Sequence, residues 1–517
     1  MALWRSTFIF SAMTMLSRIL GLVRDMVLLN VFGAGGVFDT FVVAFRIPNF
    51  FRRLFAEGAF SQAFIPVLTE YKTTKTHAEV QLLISSVSGT LLTILLPLTI
   101  IALFAAPAIM YVYAPGFHDS PEKFAIAVDL FRLTFPYLLF MSMTAFSSSI
   151  LNSYGSFAST AFAPVLLNIC QIAAAWWFVG YFTDQPIMVM GWAVLIAGVL
   201  QLALQIPELW RKKLLMPPRI DFKHEGVERI LRLMLPALFG VSVTQINLLL
   251  NTIWASFMQD GSVSWLYTAE RMTELPLGLI GIAIASVILP SLSAQHAAQN
   301  HQKFRGMIDW ATRVIMLVGI PASLAMYVLA EPIIQALFQH GEFGMRDVQM
   351  TAWALRGMSG GILAFMLIKI FAPGFYARQD TRTPVKIGLI TVFVNMALNI
   401  ILITTFKLMD WEASHIALAI SSTGSAFVNA GLLYWYLHKN NIYRFEGHWK
   451  KTSLQYAIAN IAMVVVLIGA MQLYQAEVSQ WLRIVELLGL CAVGAVIYAA
   501  ALLLTGFRPR HLRPDES

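Results

Sequence analysis

The sequence has little charge and almost no cysteine. Only 12% of its 517 residues are Asp, Glu, Lys or Arg, whereas a soluble domain has about 25%. The two cysteines, Cys170 and Cys491, lie inside apolar stretches and form neither a disulfide framework nor a metal-ligand spacing. Hydrophobic residues make up 58% of the chain, and the mean hydropathy is +0.69. This composition excludes a disordered chain and a DNA-binding domain, and we expect no nucleic-acid partner, no cofactor and no metal.

Apolar stretches long enough to cross a bilayer recur along the whole chain. A membrane-spanning helix needs about 20 mostly apolar residues, and the sequence offers fourteen such stretches. The first, second and eighth are the weakest, because they contain charged residues. The sequence therefore predicts an all-α polytopic membrane protein. The predicted centres are Leu20, Val43, Leu95, Tyr137, Ile169, Ala197, Leu248, Ile280, Gly319, Ala364, Val394, Ala426, Val465 and Ala492.

The Lys and Arg residues fall mainly on one side of these predicted spans. With both termini in the cytoplasm, 25 of the 36 lie in cytoplasmic segments, and three (Lys123, Arg346 and Lys407) lie on the opposite side. The other eight lie inside spans or at their edges. Cytoplasmic loops of membrane proteins are enriched in Lys and Arg. The distribution therefore predicts an even number of spans and cytoplasmic termini.

Similar motifs recur at a spacing of about 224 residues, as an internal repeat would produce. Leu28-Leu29-Asn30 resembles Leu249-Leu250-Asn251, and Ala63-Phe64-Ile65-Pro66 resembles Val287-Ile288-Leu289-Pro290. An even number of spans per repeat preserves orientation, and parallel repeats of six spans are a transporter architecture.

This repeat predicts two pseudo-symmetric six-helix lobes around a central cavity. We expect the N-terminal lobe over residues 1–213 and the C-terminal lobe over residues 224–440. Two additional helices over residues 450–506 would line a groove for a lipid tail or dock a partner, and residues 507–517 would form a cytoplasmic tail.

Charged residues inside the predicted spans point to the function. Each costs at least about 2.5–3.5 kcal/mol on insertion scales and normally faces a cavity or a partner. They concentrate in three spans: Arg18, Arg24 and Asp25 in the first; Asp39 and Arg46 in the second, followed by Arg52, Arg53 and Glu57; and Glu270, Arg271 and Glu274 in the eighth. The planar guanidinium of arginine matches phosphate and carboxylate, so the cluster favours an anionic substrate.

Simpler interpretations apply to some of these residues. Arg18 and Arg24 lie about 120° apart on an ideal helix and would converge only through a bend, which Gly21 could permit. Ion pairs that hold helices together are the favoured interpretation for Arg132, Arg356 and Arg483. Ordinary anchoring at the cytoplasmic interface explains Arg52 and Arg53 equally well.

The sequence resembles the MurJ/MviN family of lipid II flippases over essentially the whole chain. The most specific match is the run from Pro48-Asn49-Phe50-Phe51-Arg52-Arg53 to Pro66. Further matches are Ser17-Arg18-Ile19-Leu20-Gly21-Leu22-Val23-Arg24-Asp25, Phe162-Ala163-Pro164 through Asn168, Ala269-Glu270-Arg271 through Pro276, and Ala372-Pro373-Gly374 through Asp380.

The resemblance implies a fold of the multidrug/oligosaccharidyl-lipid/polysaccharide exporter type. It implies that the chain moves lipid II, the undecaprenyl-diphosphate-linked peptidoglycan precursor, across the bacterial inner membrane. Arg18, Arg24, Asp39, Arg52 and Arg271 are then the expected substrate-binding residues. Arg53, Glu57, Glu270 and Glu274 are expected to form gating ion pairs. Besides lipid II, the expected partners are membrane lipids and the peptidoglycan synthesis machinery.

Three other functions fit the same composition. A drug/cation antiporter or polysaccharide-lipid exporter of the superfamily would share the spans, although a cation antiporter would need a more acidic cavity than this one. A membrane-embedded glycan polymerase would need a catalytic acid in a sizeable external loop, and the predicted external loops are short. A transporter rather than an enzyme is therefore the leading interpretation.

Overall fold

The computed structural model describes residues 2–54, 60–445, 449–474 and 478–508, and within these residues the regular structure is helical. Long helices alternate with short connections, as expected for a chain whose backbone polar groups must be satisfied inside lipid. The helices are α1 Ala2–Phe32, α2 Gly36–Leu54, α3 Phe60–Thr74, α4 His77–Phe104, α5 Ala106–Tyr113, α6 Pro121–Thr134, α7 Tyr137–Ser153, α8 Ala158–Ala173, α9 Met188–Arg211, α10 Glu225–Ser256, α11 Ser262–Pro276, α12 Ile282–Ala297, α13 His301–Val328, α14 Ala330–Phe338, α15 Met345–Tyr376, α16 Arg382–Leu408, α17 Ile416–Lys439, α18 Trp449–Met471 and α19 Gln480–Leu504.

Ten helical segments of the described residues are long and apolar enough to cross a membrane. Each contains one of the predicted centres, from Leu95 in α4 to Ala492 in α19. The other four centres also lie in helical segments: Leu20 in α1, Val43 in α2, Leu248 in α10, and Ile280 in the π-helical segment Leu277–Gly281 between α11 and α12. The polytopic helical architecture is thus confirmed, and the count of fourteen spans stays a prediction.

The chain divides into two compact units, Met1–Ser264 and Trp265–Ser517. In the first unit, α1 packs on α8, α2 packs on α6, and α10 packs on α3. In the second unit, α15 lies against both α13 and α17, and α18 packs on α19. Buried side chains such as Ile308, Met366 and Leu437 form the core of the second unit. The lobes and the repeat predicted from sequence remain predictions.

Local sequence sets several helix ends. Thr76 caps α4 through a reciprocal pair of hydrogen bonds with Glu79, and Asn300 caps α13 by accepting from the Lys303 N–H. Before α16, Asp380 accepts hydrogen bonds from the N–H and the hydroxyl of Thr383. These caps satisfy backbone N–H groups that have no partner inside their own helix.

Candidate functional site

Arg24 lies on α1, which packs against α8. The side chain is buried, and its guanidinium donates to the Asp25 carboxylate from Nη2 at 2.6 Å and from Nε at 3.0 Å. Nη1 donates to Asn168 Oδ1 on α8 at 3.1 Å, and Asn168 Nδ2 donates to the Ser17 carbonyl at 3.0 Å. Asn168 therefore joins α8 to α1 at two points and fixes the orientation of the arginine.

Arg18 has different surroundings from Arg24, although both lie on α1. Its residue is exposed, whereas Arg24 is 6% exposed. The helix runs as one element through Gly21. The difference in burial follows from the angular separation of about 120° that six residues give on a helix.

The C-terminal turn of α2 carries two more of the predicted arginines. Arg52 Nε donates to Asn49 Oδ1 at 2.9 Å, a contact between residues one helical turn apart. Arg53, the next residue, is half-buried. Glu57, which was predicted to pair with cavity arginines, lies outside the described residues.

Asp39 lies near the start of α2 and is only 1% exposed. Its carboxylate caps the start of α11. Its carboxylate accepts from the backbone N–H of Gly261 at 2.8 Å, from the N–H of Ser264 at 2.8 Å, and from the Ser264 hydroxyl. Lys123 Nζ lies 3.8 Å from Asp39 and 2.6 Å from Asp260. We call these five residues the Asp39 latch. A carboxylate stabilises a helix N-terminus because the unpaired N–H groups there carry partial positive charge.

Arg271 lies on α11 between two side chains of the same helix. Its Nη1 is 3.1 Å from Glu274 Oε2, and its Nε donates to the Tyr267 hydroxyl at 3.2 Å. The guanidinium carbon also lies 5.2 Å from the centre of the Tyr267 ring, within the range of a cation–π contact. Glu270 is half-buried beside it. The Arg271 side chain is 27% exposed and the Glu274 side chain is 42% exposed, so a ligand has access to this pair.

The remaining intramembrane arginines have partners of a structural kind. Arg46 donates to Thr252 on α10, Arg132 pairs with Asp129, Arg356 pairs with Glu331, and Arg483 donates to Gln339. The last three arginines are those for which helix-holding contacts were the favoured interpretation.

A third cluster around a buried charge lies in the second unit, on α13. Asp309 accepts from the Tyr443 hydroxyl at 2.9 Å and from Trp449 Nε1 at 2.6 Å, and it pairs with Arg313 at 3.0 Å. Tyr443 lies in the connection between α17 and α18, and Trp449 is the first residue of α18. Burial and the nearby Asp309 carboxylate raise the pKa of Tyr443, which lies outside the membrane-spanning segments.

Sequence reasoning missed Asn168, Lys123 and Asp309 as members of these clusters. Asn168 carried a signal, since an amide at the centre of an apolar span needs a partner. Lys123 had a weaker one: it is one of only three cations on the sparsely charged side of the predicted spans. Asp309 precedes Arg313 in a segment that was predicted to be cytoplasmic, and it was not singled out.

An apolar cavity of about 480 Å³ lies between α13 and α18. Its lining includes Met316, Ile320 and Leu324 on α13 and Tyr456, Asn460 and Val464 on α18. In the part of the chain that the structure describes, no group of three or more His, Cys, Asp or Glu residues could hold a metal ion.

Comparison with known proteins identifies relatives over the full length of the chain. The model of one protein family, described as lipid II flippase MurJ, matches residues 28–489. A probable lipid II flippase MurJ of Haemophilus influenzae is 43% identical, over 97% of this chain and 99% of that one. A probable lipid II flippase MurJ of Vibrio cholerae is 42% identical, over 99% and 98% of the two chains.

Solved structures show the same fold. A lipid II flippase MurJ in an inward closed conformation matches with a TM-score of 0.80 and 25% identity, over 98% of this chain and 100% of that chain. An inward-facing multidrug resistance transporter of the MATE family matches with a TM-score of 0.65 over 84% of this chain and 98% of that one. At 15% identity the second likeness concerns the fold alone.

Proposed function

The chain belongs to the lipid II flippase MurJ family, and we propose that it carries lipid II from the inner to the outer leaflet of the bacterial cytoplasmic membrane by alternating access. The observation that carries this proposal is the pair of arginine sites within apolar helices: Arg24 held by Asn168 and Asp25, and Arg271 held between Tyr267 and Glu274. Lipid II presents a diphosphate and peptide carboxylates, which are the groups that arginine binds in bidentate fashion.

The chain is a multi-pass protein of the bacterial inner membrane and a transporter. We add that both termini lie in the cytoplasm, which is supported by the excess of Lys and Arg on one side of the predicted spans. With this orientation the residues near Lys123, including the Asp39 latch, face the periplasm. Peptidoglycan-synthesising enzymes that consume lipid II there are the proposed protein partners.

In the first unit we assign substrate binding to Arg18, Arg24 and Arg52. Arg24 is the best prepared of the three, because its orientation is fixed before any ligand arrives. A pre-oriented side chain loses less conformational entropy on binding. Arg18 is exposed and Arg52 is half-buried at the C-terminal turn of α2, so an anion can reach both side chains.

In the second unit we assign binding to Arg271 and gating to Glu270 and Glu274. The Glu274 carboxylate compensates the arginine while no ligand is bound. An arriving phosphate or carboxylate competes for the same guanidinium and releases Glu274. Exchange of one anionic partner for another keeps the Arg271 guanidinium paired throughout. Arg53 and Glu57 are the corresponding proposed gating residues of the first unit.

Asp39 contributes through the latch. Its carboxylate accepts from the start of α11 and pairs with Lys123. We therefore assign Asp39 the role of keeping the start of α11 attached to α2. The first turn of α11 belongs to the first unit, whereas Arg271 and Glu274 on the same helix belong to the second. Release of the latch would accordingly act on the helix that carries the second binding site.

For the undecaprenyl tail we propose the apolar cavity along α18. A hydrocarbon tail that moves from the bilayer into this cavity does not leave water, so its gain comes from van der Waals packing against the apolar lining. The polar atoms of Tyr456 and Asn460 are few against the apolar lining, as a hydrocarbon ligand requires.

The proposal is tested by depleting the protein from its native bacterium and adding a toxin that cleaves lipid II from the periplasmic side. Depletion is expected to abolish cleavage, and the wild-type gene is expected to restore it. Arg24→Ala and Arg271→Ala are expected to fail, whereas Arg132→Ala, which breaks an exposed pair with Asp129, serves as the matched control and is expected to succeed. Unchanged cleavage after depletion, in cells without a second flippase, would refute the function and favour export of another substrate.

A further inference from the structure

Lys123 is held by three separate segments of the first unit. It lies in the first turn of α6, and its side chain is only 12% exposed. Its ammonium is 3.8 Å from Asp39 on α2, 2.6 Å from Asp260 just before α11, and 4.1 Å from the centre of the Phe117 ring. A lysine normally extends its ammonium into water, so this degree of enclosure requires a reason.

The buried carboxylate of Asp39 supplies that reason. Removal of an ion from water is costly unless a partner of opposite charge compensates it. Among the residues that the structure describes, Lys123 is the cation within 4.0 Å of Asp39. Arg46, two turns along α2, is directed instead to Thr252 on α10.

The backbone around Lys123 fixes its position. The short 3₁₀ helix Pro115–Asp119 lies directly against the end of α10, where the Gly116 N–H donates to Ser256 Oγ at 3.2 Å. A Cβ atom at Gly116 would lie 2.0 Å from the Ser256 carbonyl oxygen, so only glycine permits this approach. The contact places Phe117 beside the ammonium. On the other side, Asp260 lies so close to Gly36 that a Cβ there would be 2.7 Å from its carboxylate.

We propose that Lys123 is the positioning residue of the Asp39 latch: it compensates the buried Asp39 carboxylate and, through Asp260, holds the turn that begins α11 against α2. Lys123 acts through Asp39 and does not contact the transported lipid. The inference deepens the proposed function, because it names the cation that keeps the latch closed during the transport cycle.

The test uses an introduced thiol that reports opening of the latch without lipid II. Ser262, in the first turn of α11, is fully buried between the two latch residues Gly261 and Ser264, and its hydroxyl has no hydrogen-bond partner among the described residues. Ser262→Cys in a background with Cys170→Ala and Cys491→Ala therefore provides a single buried thiol, which we call the latch reporter. The measured quantity is the rate at which a maleimide alkylates this thiol in the full chain, purified in lipid nanodiscs.

Lys123→Met is expected to raise the alkylation rate at least about tenfold, the size that loss of one charge-assisted contact gives. Arg132→Met, which removes a cation from the same helix outside the latch, is the matched control and should leave the rate within two-fold of the parent. Lys123→Arg should restore most of the protection. Equal rates for Lys123→Met and Arg132→Met would overturn the inference, and so would a Lys123→Arg variant as reactive as Lys123→Met.

General unfolding is separated by a second reporter. Ser421→Cys on α17, also fully buried, is expected to keep its slow rate in the Lys123→Met variant. If the alkylation rate rises at both reporters, a double-mutant cycle distinguishes opening of the latch from general unfolding. Asp260→Asn should raise the rate at the latch reporter about two-fold, and adding it to Lys123→Met should change nothing further, since Asp260 is held through Lys123. If the two substitutions instead raise the alkylation rate by factors that multiply in the double variant, the inference is refuted. Because no assay here contains lipid II, failure of the proposed function leaves these outcomes unaffected.

Discussion

Asp39 and Asp309 are both buried aspartates, one in each unit, and they differ in what holds them. Asp39 accepts from two backbone N–H groups and the Ser264 hydroxyl at the start of α11 and pairs with Lys123, whereas Asp309 accepts from the side chains of Tyr443 and Trp449 and pairs with Arg313. A helix can move as a rigid body away from the side chain that caps its end, and the hydrogen bonds inside the helix then stay intact. Donors from the segment that leads into α18 instead hold that segment in place on α13. We therefore expect Asp39 to be a releasable contact and Asp309 a permanent anchor.

The largest expected effect is on stability at the anchor. Asp309→Ala should lower the free energy of unfolding by about 3 kcal/mol, because it removes the buried carboxylate that pairs with Arg313 and accepts from Tyr443 and Trp449. Thermal unfolding of the purified protein measures this, with Asp129→Ala, which breaks an exposed pair, as the control. A shift no larger than that of the control would show that Asp309 is not an anchor.

The next largest effect is a difference in lipid II transport between substitutions of Asp39 and of Asp309. Asp39→Asn should reduce lipid II exposure at the outer surface at least about tenfold, since the neutral amide holds the N–H groups of α11 more weakly. Asp309→Asn should leave transport per folded molecule within two-fold. The periplasmic cleavage assay, normalised to protein in the membrane, gives both values. Equal losses in the two variants would remove the distinction.

A smaller effect concerns the support of Arg24. Asn168→Ala removes two hydrogen bonds between α1 and α8 and should weaken lipid II binding about five-fold, or about 1 kcal/mol. Asn152→Ala, which removes a contact to Thr160, is the matched control. If both variants lower only the free energy of unfolding and leave lipid II binding unchanged, Asn168 has a structural role like that of Asp309.

The smallest effect is alkaline sensitivity at the anchor. The pKa of Tyr443 is raised above its usual value of 10.0, so the folded state keeps a proton that the unfolded state loses. Stability from this group is therefore complete below about pH 10 and declines above it. The melting temperature of wild type should fall more steeply between pH 10 and 11 than that of Tyr443→Phe. Parallel curves would contradict this.

The sequence allowed most of the fold to be predicted, and the site only in part. Apolar length was enough to place the spans, and the i, i+3 spacing was enough to bring Arg271 next to Glu274, because both signals are local. The contact of Arg24 with Asn168 joins residues 144 positions apart, and the contact of Asp39 with Ser264 joins residues 225 apart. No local pattern determines which helices meet, so these partners emerged only from the structure.

The central claim is that arginines inside the membrane bind the anionic groups of lipid II. Its most direct test is the affinity of the purified protein in nanodiscs for lipid II, measured for wild type, Arg24→Ala, Arg271→Ala and Arg132→Ala. Each of the first two substitutions should weaken binding at least about tenfold, the loss expected for a charge-assisted contact, while Arg132→Ala stays within two-fold of wild type. Equal affinity in all four proteins would contradict the claim.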